Sequence, residues 1–239
     1  MAYEPGNRWT ARGAAVPQAE VDAGLRSFML RVYNYMAGGL ALTGVVAYVA
    51  AASGFYASIA GSPLFWLVVL APLGLVMLLS FRIQTMSLGA AQLTFWAYAA
   101  LMGLSLAGIF LIYTQTSIAR VFFITAATFA AMSLYGYTTR SDLSRFGSFL
   151  FMGLIGIIIA GLVNMFIGSA GLQLLISLVG VIVFVGLTAW DTQAIKEMYW
   201  EGDGELVAGK KAIMGALRLY LDFINLFMLL MQLLGNRRD

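Results

Sequence analysis

The chain has 239 residues, of which 61% are hydrophobic and only 10% are charged. A soluble domain carries roughly 25% charged residues and needs them to cover its surface, so this composition excludes an ordinary globular enzyme, a disordered chain and a coiled coil, and implies an all-α polytopic membrane protein. The chain has no His and no Cys, which excludes Ser–His and His–zinc hydrolases, His proton relays, thiolate metal sites, disulfides and Cys nucleophiles, and its net charge of +3 comes without a basic, aromatic-interleaved module, so nucleic acid is not an expected partner.

Residues 1–27 are polar, of mixed charge, and interrupted by Pro5 and Pro17. They are expected to form a flexible cytoplasmic tail. They do not read as a secretory signal peptide, because no apolar core precedes a small-residue cleavage site. The membrane domain is expected over 28–239, in contact with the lipid bilayer. Residues 32–81, 83–119, 121–139 and 146–190 carry no charge at all. A membrane helix needs about 20 apolar residues at about 1.5 Å each. Division at Gly, Pro and Ser clusters predicts seven spans, at 33–53, 63–81, 89–112, 118–137, 146–167, 172–198 and 212–234. These runs are apolar all round, unlike the alternating strands of a barrel. Small residues recur at helical spacing in the third span (Ala99, Gly103, Ala107) and the fifth (Gly156, Ala160), where they are expected to let helices approach closely.

Arg8, Arg12, Arg26 and Arg31 precede the first span. Arg82 follows the second, Arg140 and Arg145 lie between the fourth and fifth, and Lys196, Lys210 and Lys211 flank the last loop. All fall on one side of a seven-span protein, and Arg120 lies near a link on the other. Positive residues concentrate in cytoplasmic loops, so the N-terminus is expected in the cytoplasm. Arg237 and Arg238 conflict with this, since seven spans put them outside. Either that terminal signal is overruled or the last segment is re-entrant; seven spans is the reading adopted.

The informative residues are charges inside apolar helices. One such charge near the bilayer centre costs about 3 kcal/mol on insertion scales and marks a functional candidate. Asp191 lies in FVGLTAWDTQAIK and Asp222 in LYLDFINLFMLLMQLL, on consecutive antiparallel helices. Asp191 is eight residues inside Tyr199 and Asp222 eleven inside Lys211, or about 12 and about 17 Å deep. The two carboxylates therefore reach a similar level. In contact, they cannot both ionise cheaply and titrate as a unit. A shared proton would bind them; its loss would make them repel or leave a cation site. Ca²⁺ takes six to eight oxygens, and the two aspartates with Asn225, Thr188, Thr192, carbonyls and water could supply a weak, exchangeable site. The alternative is that each Asp only hydrogen-bonds a neighbouring helix.

Arg218, one turn before Asp222, either forms an intrahelical ion pair with it or snorkels to the interface. Arg82 could reach a carboxylate but reads better as an interfacial anchor. Arg140 and Asp142 suit a turn or cap. Glu197, Glu201, Asp203 and Glu205 suit a solvated loop more than a cation-attracting vestibule, and Asn164 suits an interhelical hydrogen bond. Trp66, Trp96 and Trp190 read as packing or interface anchors.

The stretches SLYGYTTRSDLS (133–144), VFVGLTAWDTQAIK (183–196) and ALRLYLDFINLFMLLMQLLGNRR (216–238) resemble the Bax inhibitor family, also called the transmembrane Bax inhibitor motif family, and most of all its bacterial inner-membrane branch. The resemblance covers about residues 25–238. It implies seven helices with the last surrounded by the other six, and a pH-sensitive calcium leak gated by two aspartates, whose motif positions Asp191 and Asp222 occupy. Some members add an arginine near the end of the second helix, which Arg82 approximates. Arg218 departs from the pattern, and a permanent counterion there would shift the gating pH or weaken cation binding.

The expected function is therefore a cation leak channel, with Ca²⁺ as transported ion and no cofactor. The second reading is a non-transporting regulator: the resemblance also implies partners such as a membrane-bound AAA protease, or a role in cell-death control, with the 1–27 tail as a contact. An enzyme is not expected. A retinal protein needs a lysine inside the seventh helix, and Lys210 and Lys211 only precede it.

Overall fold

The computed structural model describes residues 18–238, with side chains from Asp22 onward. Its helices are α1 (Gln18–Ala52), α2 (Phe55–Ile59), α3 (Pro63–Arg82), α4 (Leu88–Leu106), α5 (Ile109–Ile112), α6 (Gln115–Thr138), α7 (Ser144–Ile167), α8 (Ala170–Glu197) and α9 (Glu205–Leu234). With α5 continuing α4, seven spans are long and apolar enough to cross a membrane. The chain is an all-α polytopic membrane protein. The middle spans start and stop within a few residues of the predicted ones.

The local chemistry explains the boundaries. Ser87, Thr114 and Ser169 cap α4, α6 and α8, each accepting from the backbone N–H three residues on. Gly168 closes α7 with a φ of 67°, the left-handed region. The predicted third span breaks at Ala107–Gly108 into α4 and α5. Just before the break, Ser105 donates back to the Leu101 carbonyl (3.1 Å) and across to that of Val68 (2.7 Å), a side-chain bond that bends helices.

Two boundaries differ from expectation. The last helix starts at Glu205, not 212, and the first at Gln18, not 33. Apolarity marks where a helix meets lipid, not where it begins. At 35 residues, α1 is about 52 Å long and outruns a hydrocarbon core of about 30 Å. Residues 18–27 thus belong to α1 and not to a tail. Residues 1–17 of the expected tail lie outside the described residues.

The last helix is the core. In its apolar stretch 67% of residues are buried, against 11–33% in the other spans. Helices α1, α4, α6 and α8 pack directly on α9, and α3 and α7 complete the ring from behind α4 and α8. The most buried helix is not the most apolar: its mean hydropathy is 1.7, against 2.5 for α3 and α7. Lipid-facing helices must be apolar throughout, whereas polar residues survive only where protein surrounds them. The six outer spans form two units, α1–α3–α4 and α6–α7–α8. In each, the first and third spans pack together and the second lies on the third. Three spans per unit make their membrane directions opposite, the pattern of inverted repeats.

The two ends of the bundle differ in charge. One end gathers the start of α1 and the 83–87, 139–143 and 198–204 links. Arg31 pairs with Glu205 at 2.7 Å, Lys210 Nζ donates to the Gln84 carbonyl at 2.9 Å, and Lys196 Nζ donates to that of Tyr137 at 2.9 Å. Of the acidic loop, Glu205 and Asp203 are used in ion pairs, the latter with Lys211 at 2.5 Å; Glu197 and Glu201 are exposed. Asp142 accepts from the Ser144 N–H at 2.8 Å, the expected turn, and the Ser144 hydroxyl together with that N–H holds its carboxyl below the usual carboxylate range.

At the opposite end α9 runs unbroken to Leu234, so the last segment is not re-entrant. The residues after it pair antiparallel with the start of α6: Thr114 N–H donates to Asn236 O (3.1 Å) and Arg238 N–H to Ile112 O (2.9 Å). Arg120 donates to the Leu234 carbonyl at 2.9 Å, a cation at the negative end of a helix.

The two small-residue stripes part company. Ala99 and Ala107 are buried, and a side chain on Gly103 would meet the Thr43 carbonyl 2.6 Å away, so that stripe seats α1 on α4. Gly156 faces open space. It makes no close approach, contrary to expectation, because α7 touches the bundle along another face.

Candidate functional site: an aspartate pair on the central helix

The α8–α9 antiparallel pair brings the two sequence-predicted carboxylates together. Asp191 and Asp222 line the same cavity, facing it from neighbouring helices. Asp222 is 4% exposed, and its Oδ2 has no hydrogen-bond partner among the described residues. Two ionised carboxylates are both acceptors only, so a hydrogen bond between them requires one shared proton.

Arg218 is one turn from Asp222, yet its Nη1 lies 3.8 Å from Asp191 Oδ1, on the neighbouring helix. It bridges α9 to α8, and the expected intrahelical pair is not the one formed. Its side chain is 47% exposed, against 14% for Asp191, so the guanidinium covers the open side of the pair. Arg82 ends α3, is exposed, and forms no ion pair among the described residues. The reason is positional: α3 sits behind α4, away from α9.

The pair opens into a cavity of about 600 Å³ between α7, α8 and α9, floored by Leu187 and Trp190 and walled by Phe151 and Leu154. Asn225 lines it and donates its amide to the Leu221 carbonyl at 2.8 Å. Thr188 and Thr192 do not line it. They are fully buried, donating to the Phe184 and Thr188 carbonyls at 2.8 and 2.7 Å. Thr192 continues through Ser133 (3.0 Å) to the Tyr33 hydroxyl (2.6 Å). Thr192 ties α8 to α6 while Thr188 bonds within α8, and neither is available as a ligand at the pair. No group of three or more His, Cys, Asp or Glu residues occurs among the described residues. The side-chain oxygens facing the cavity therefore amount to two carboxylates and the amides of Asn225 and Gln232, enough for loose cation contact with most of its water retained.

A second polar cluster, largely missed from sequence, closes the far end of α8 and α9. Gln173 Nε2 and Ser177 Oγ both donate to Gln232 Oε1, at 2.6 and 2.7 Å. Asn164 donates to Gln173 Oε1 at 3.1 Å and accepts from the Ser169 N–H at 3.0 Å. Asn164 thus makes the interhelical bond expected of it. The signal for Gln232 was its spacing: Arg218, Asn225 and Gln232 stand seven residues apart on one helix.

The comparisons with known proteins agree with this architecture. A family described as "Inhibitor of apoptosis-promoting Bax1" matches residues 25–239. A Rickettsia prowazekii protein, RP147, is 52% identical over 227 residues, covering 91% of this chain and 93% of its own. The inner membrane protein YbhL of Escherichia coli K12 is 49% identical over 220 residues, covering 90% of this chain and 94% of its own. A Caulobacter vibrioides protein is 41% identical with 98% of each chain covered. Matching nearly end to end, with its last helix buried among the others, the chain belongs to the Bax inhibitor family of membrane proteins.

Proposed function

We propose that the protein is a pH-sensitive cation leak pathway, with Ca²⁺ as the transported ion, in the bacterial inner membrane, its N-terminus in the cytoplasm. The observation that carries the reading is that Asp191 and Asp222 face one cavity together, and that the buried Asp222 Oδ2 has no hydrogen-bond partner among the described residues. While one proton is shared, the carboxyl groups hold α8 against α9. When it leaves, two negative charges face each other in a low dielectric, and either the helices separate or a cation replaces the proton. Proton binding and cation binding thus compete at one site. Arg218 supplies part of the positive charge that a cation would otherwise supply, which fits a leak more than a tight binding site. The location rests on the printed name of the Escherichia coli relative. The orientation rests on the basic residues gathered at the end that holds the start of α1.

The test is calcium flux into liposomes holding purified protein across a pH series, with Asp191→Asn and Asp222→Asn alongside. An asparagine can donate permanently to the remaining carboxylate, so flux in both variants is expected to lose its pH dependence. Absence of flux from folded native protein at every pH would overturn the reading and leave regulation of a membrane-bound protease or of a stress response as the function to test.

A further inference from the structure

The cavity that holds the aspartate pair does not end at the pair. It runs along α9 past Asn225 and Met228 to Gln232. A second cavity, of about 740 Å³, begins at Met228 and Gln232 and opens at the end of the bundle where the C-terminus lies. The two share only those two residues of α9. Between them the polar side chains of α9 form a seam: Arg218, Asp222, Asn225 and Gln232, at spacings of four, three and seven. These spacings keep them on one helical face, and all four line the cavities. The rest of the interior face of α9 is mainly apolar, and packing alone gives no reason for such a row.

We propose that this seam is the route by which a hydrated cation reaches the aspartate pair from the C-terminal end, and that Gln232 is its gate. This rests on the leak reading above. Gln232 Oε1 is the oxygen a passing cation would use, and it is occupied by two donors, Gln173 Nε2 at 2.6 Å and Ser177 Oγ at 2.7 Å. In this arrangement the amide is latched to α8. Releasing the latch turns an acceptor towards the seam and leaves Met228, a flexible side chain, as the other element to be displaced. Arg237 also lines the outer cavity, and a positive charge at the mouth disfavours cations, so passage there is slow by construction.

The chain has no Cys, so a single Asn225→Cys variant reports access directly. It would be reconstituted and treated with a membrane-impermeant, positively charged thiol reagent from the side of the C-terminus. Labelling is expected in Asn225→Cys, several-fold faster when combined with Ser177→Ala, which removes one latch bond, and strongly suppressed with Gln232→Leu, which replaces the amide by an apolar plug. Calcium flux should follow the same order: raised by Ser177→Ala, lowered by Gln232→Leu. If native flux is present but Gln232→Leu and Ser177→Ala leave it and the labelling unchanged, the gate is refuted and the leak reading stands. If native flux is absent while labelling follows the expected order, the leak reading fails and the water-filled seam stands. Absence of labelling from that side in every variant refutes the route.

Discussion

Thr43, Tyr220 and the Ala99 carbonyl form the polar junction that ties α9 to α1 and α4. Thr43 Oγ1 donates to Ala99 O at 2.8 Å and meets the Tyr220 hydroxyl at 2.6 Å, with both side chains buried. A buried hydroxyl left without its partner costs about 1–3 kcal/mol. Thr43→Val strands the Tyr220 hydroxyl and is expected to destabilise the protein by that amount in a detergent melting or denaturant titration. Adding Tyr220→Phe should recover part of the loss, as a double-mutant cycle would show. Arg218 offers a second residue-scale test. Its charge lies 3.8 Å from Asp191 but is half exposed, which screens it. Removing a positive charge makes protonation of nearby carboxylates easier. Arg218→Gln should therefore move the pH midpoint of calcium flux upward; an unchanged or lower midpoint would show that Arg218 does not act on the pair. Sequence alone located Asp191 and Asp222 because a charge in an apolar run is costly wherever the helix goes. It did not locate the partner of Arg218. A guanidinium one turn from one carboxylate and across a helix contact from another chooses by side-chain reach, which depends on how the helices cross.

At the scale of elements, α6 and α8 approach most closely at Gly136. A side chain there would run into the Ala189 backbone carbonyl, and backbone cannot move aside as a flexible side chain can. Gly136→Ala is expected to cost about 1–3 kcal/mol through overpacking and to disturb the Ser133–Thr192 hydrogen bond three residues away. Gly156→Ala, on the open face of α7, should leave the melting temperature unchanged, and the pair of variants can be compared in one experiment. Both glycines lie in uncharged runs between large residues, and nothing in the sequence shows which of them meets backbone. The span positions were legible because lipid demands long apolar runs. Which face of a span meets protein was not, because in α7 almost every face is apolar and the usual inside–outside contrast is missing. In α9 that contrast returns, and the seven-residue recurrence of polar side chains could have been read from sequence.

The described residues hold an odd number of spans, and the two ends of the bundle are chemically distinct. Cysteines placed singly at Gln84, Gly202 and Asn236 of this Cys-free chain test the arrangement. An impermeant reagent applied to cells should leave the first two unlabelled and modify the third. Labelling of Asn236 together with the first two, or of none from either side, would contradict the continuous course of α9. The resemblance already implied a central last helix. The inverted pairing of the two three-helix units was not legible in the same way, since only three-dimensional packing reveals that the first and third spans of each unit touch.

The placement of α9 also bears on biosynthesis. Its 30 residues leave the ribosome after the other six spans, yet they form the centre against which four earlier helices pack. Until residue 234 emerges, the six preceding spans surround a core that has not arrived. Asp191 then waits without its α9 partner Arg218. The pairing of Asn236 and Arg238 with Thr114 and Ile112 therefore acts as a completion mark: only a chain synthesised past α9 can close it. A nascent chain stopped short of α9 presents unsatisfied polar groups inside the bilayer, the kind of surface that membrane quality control removes.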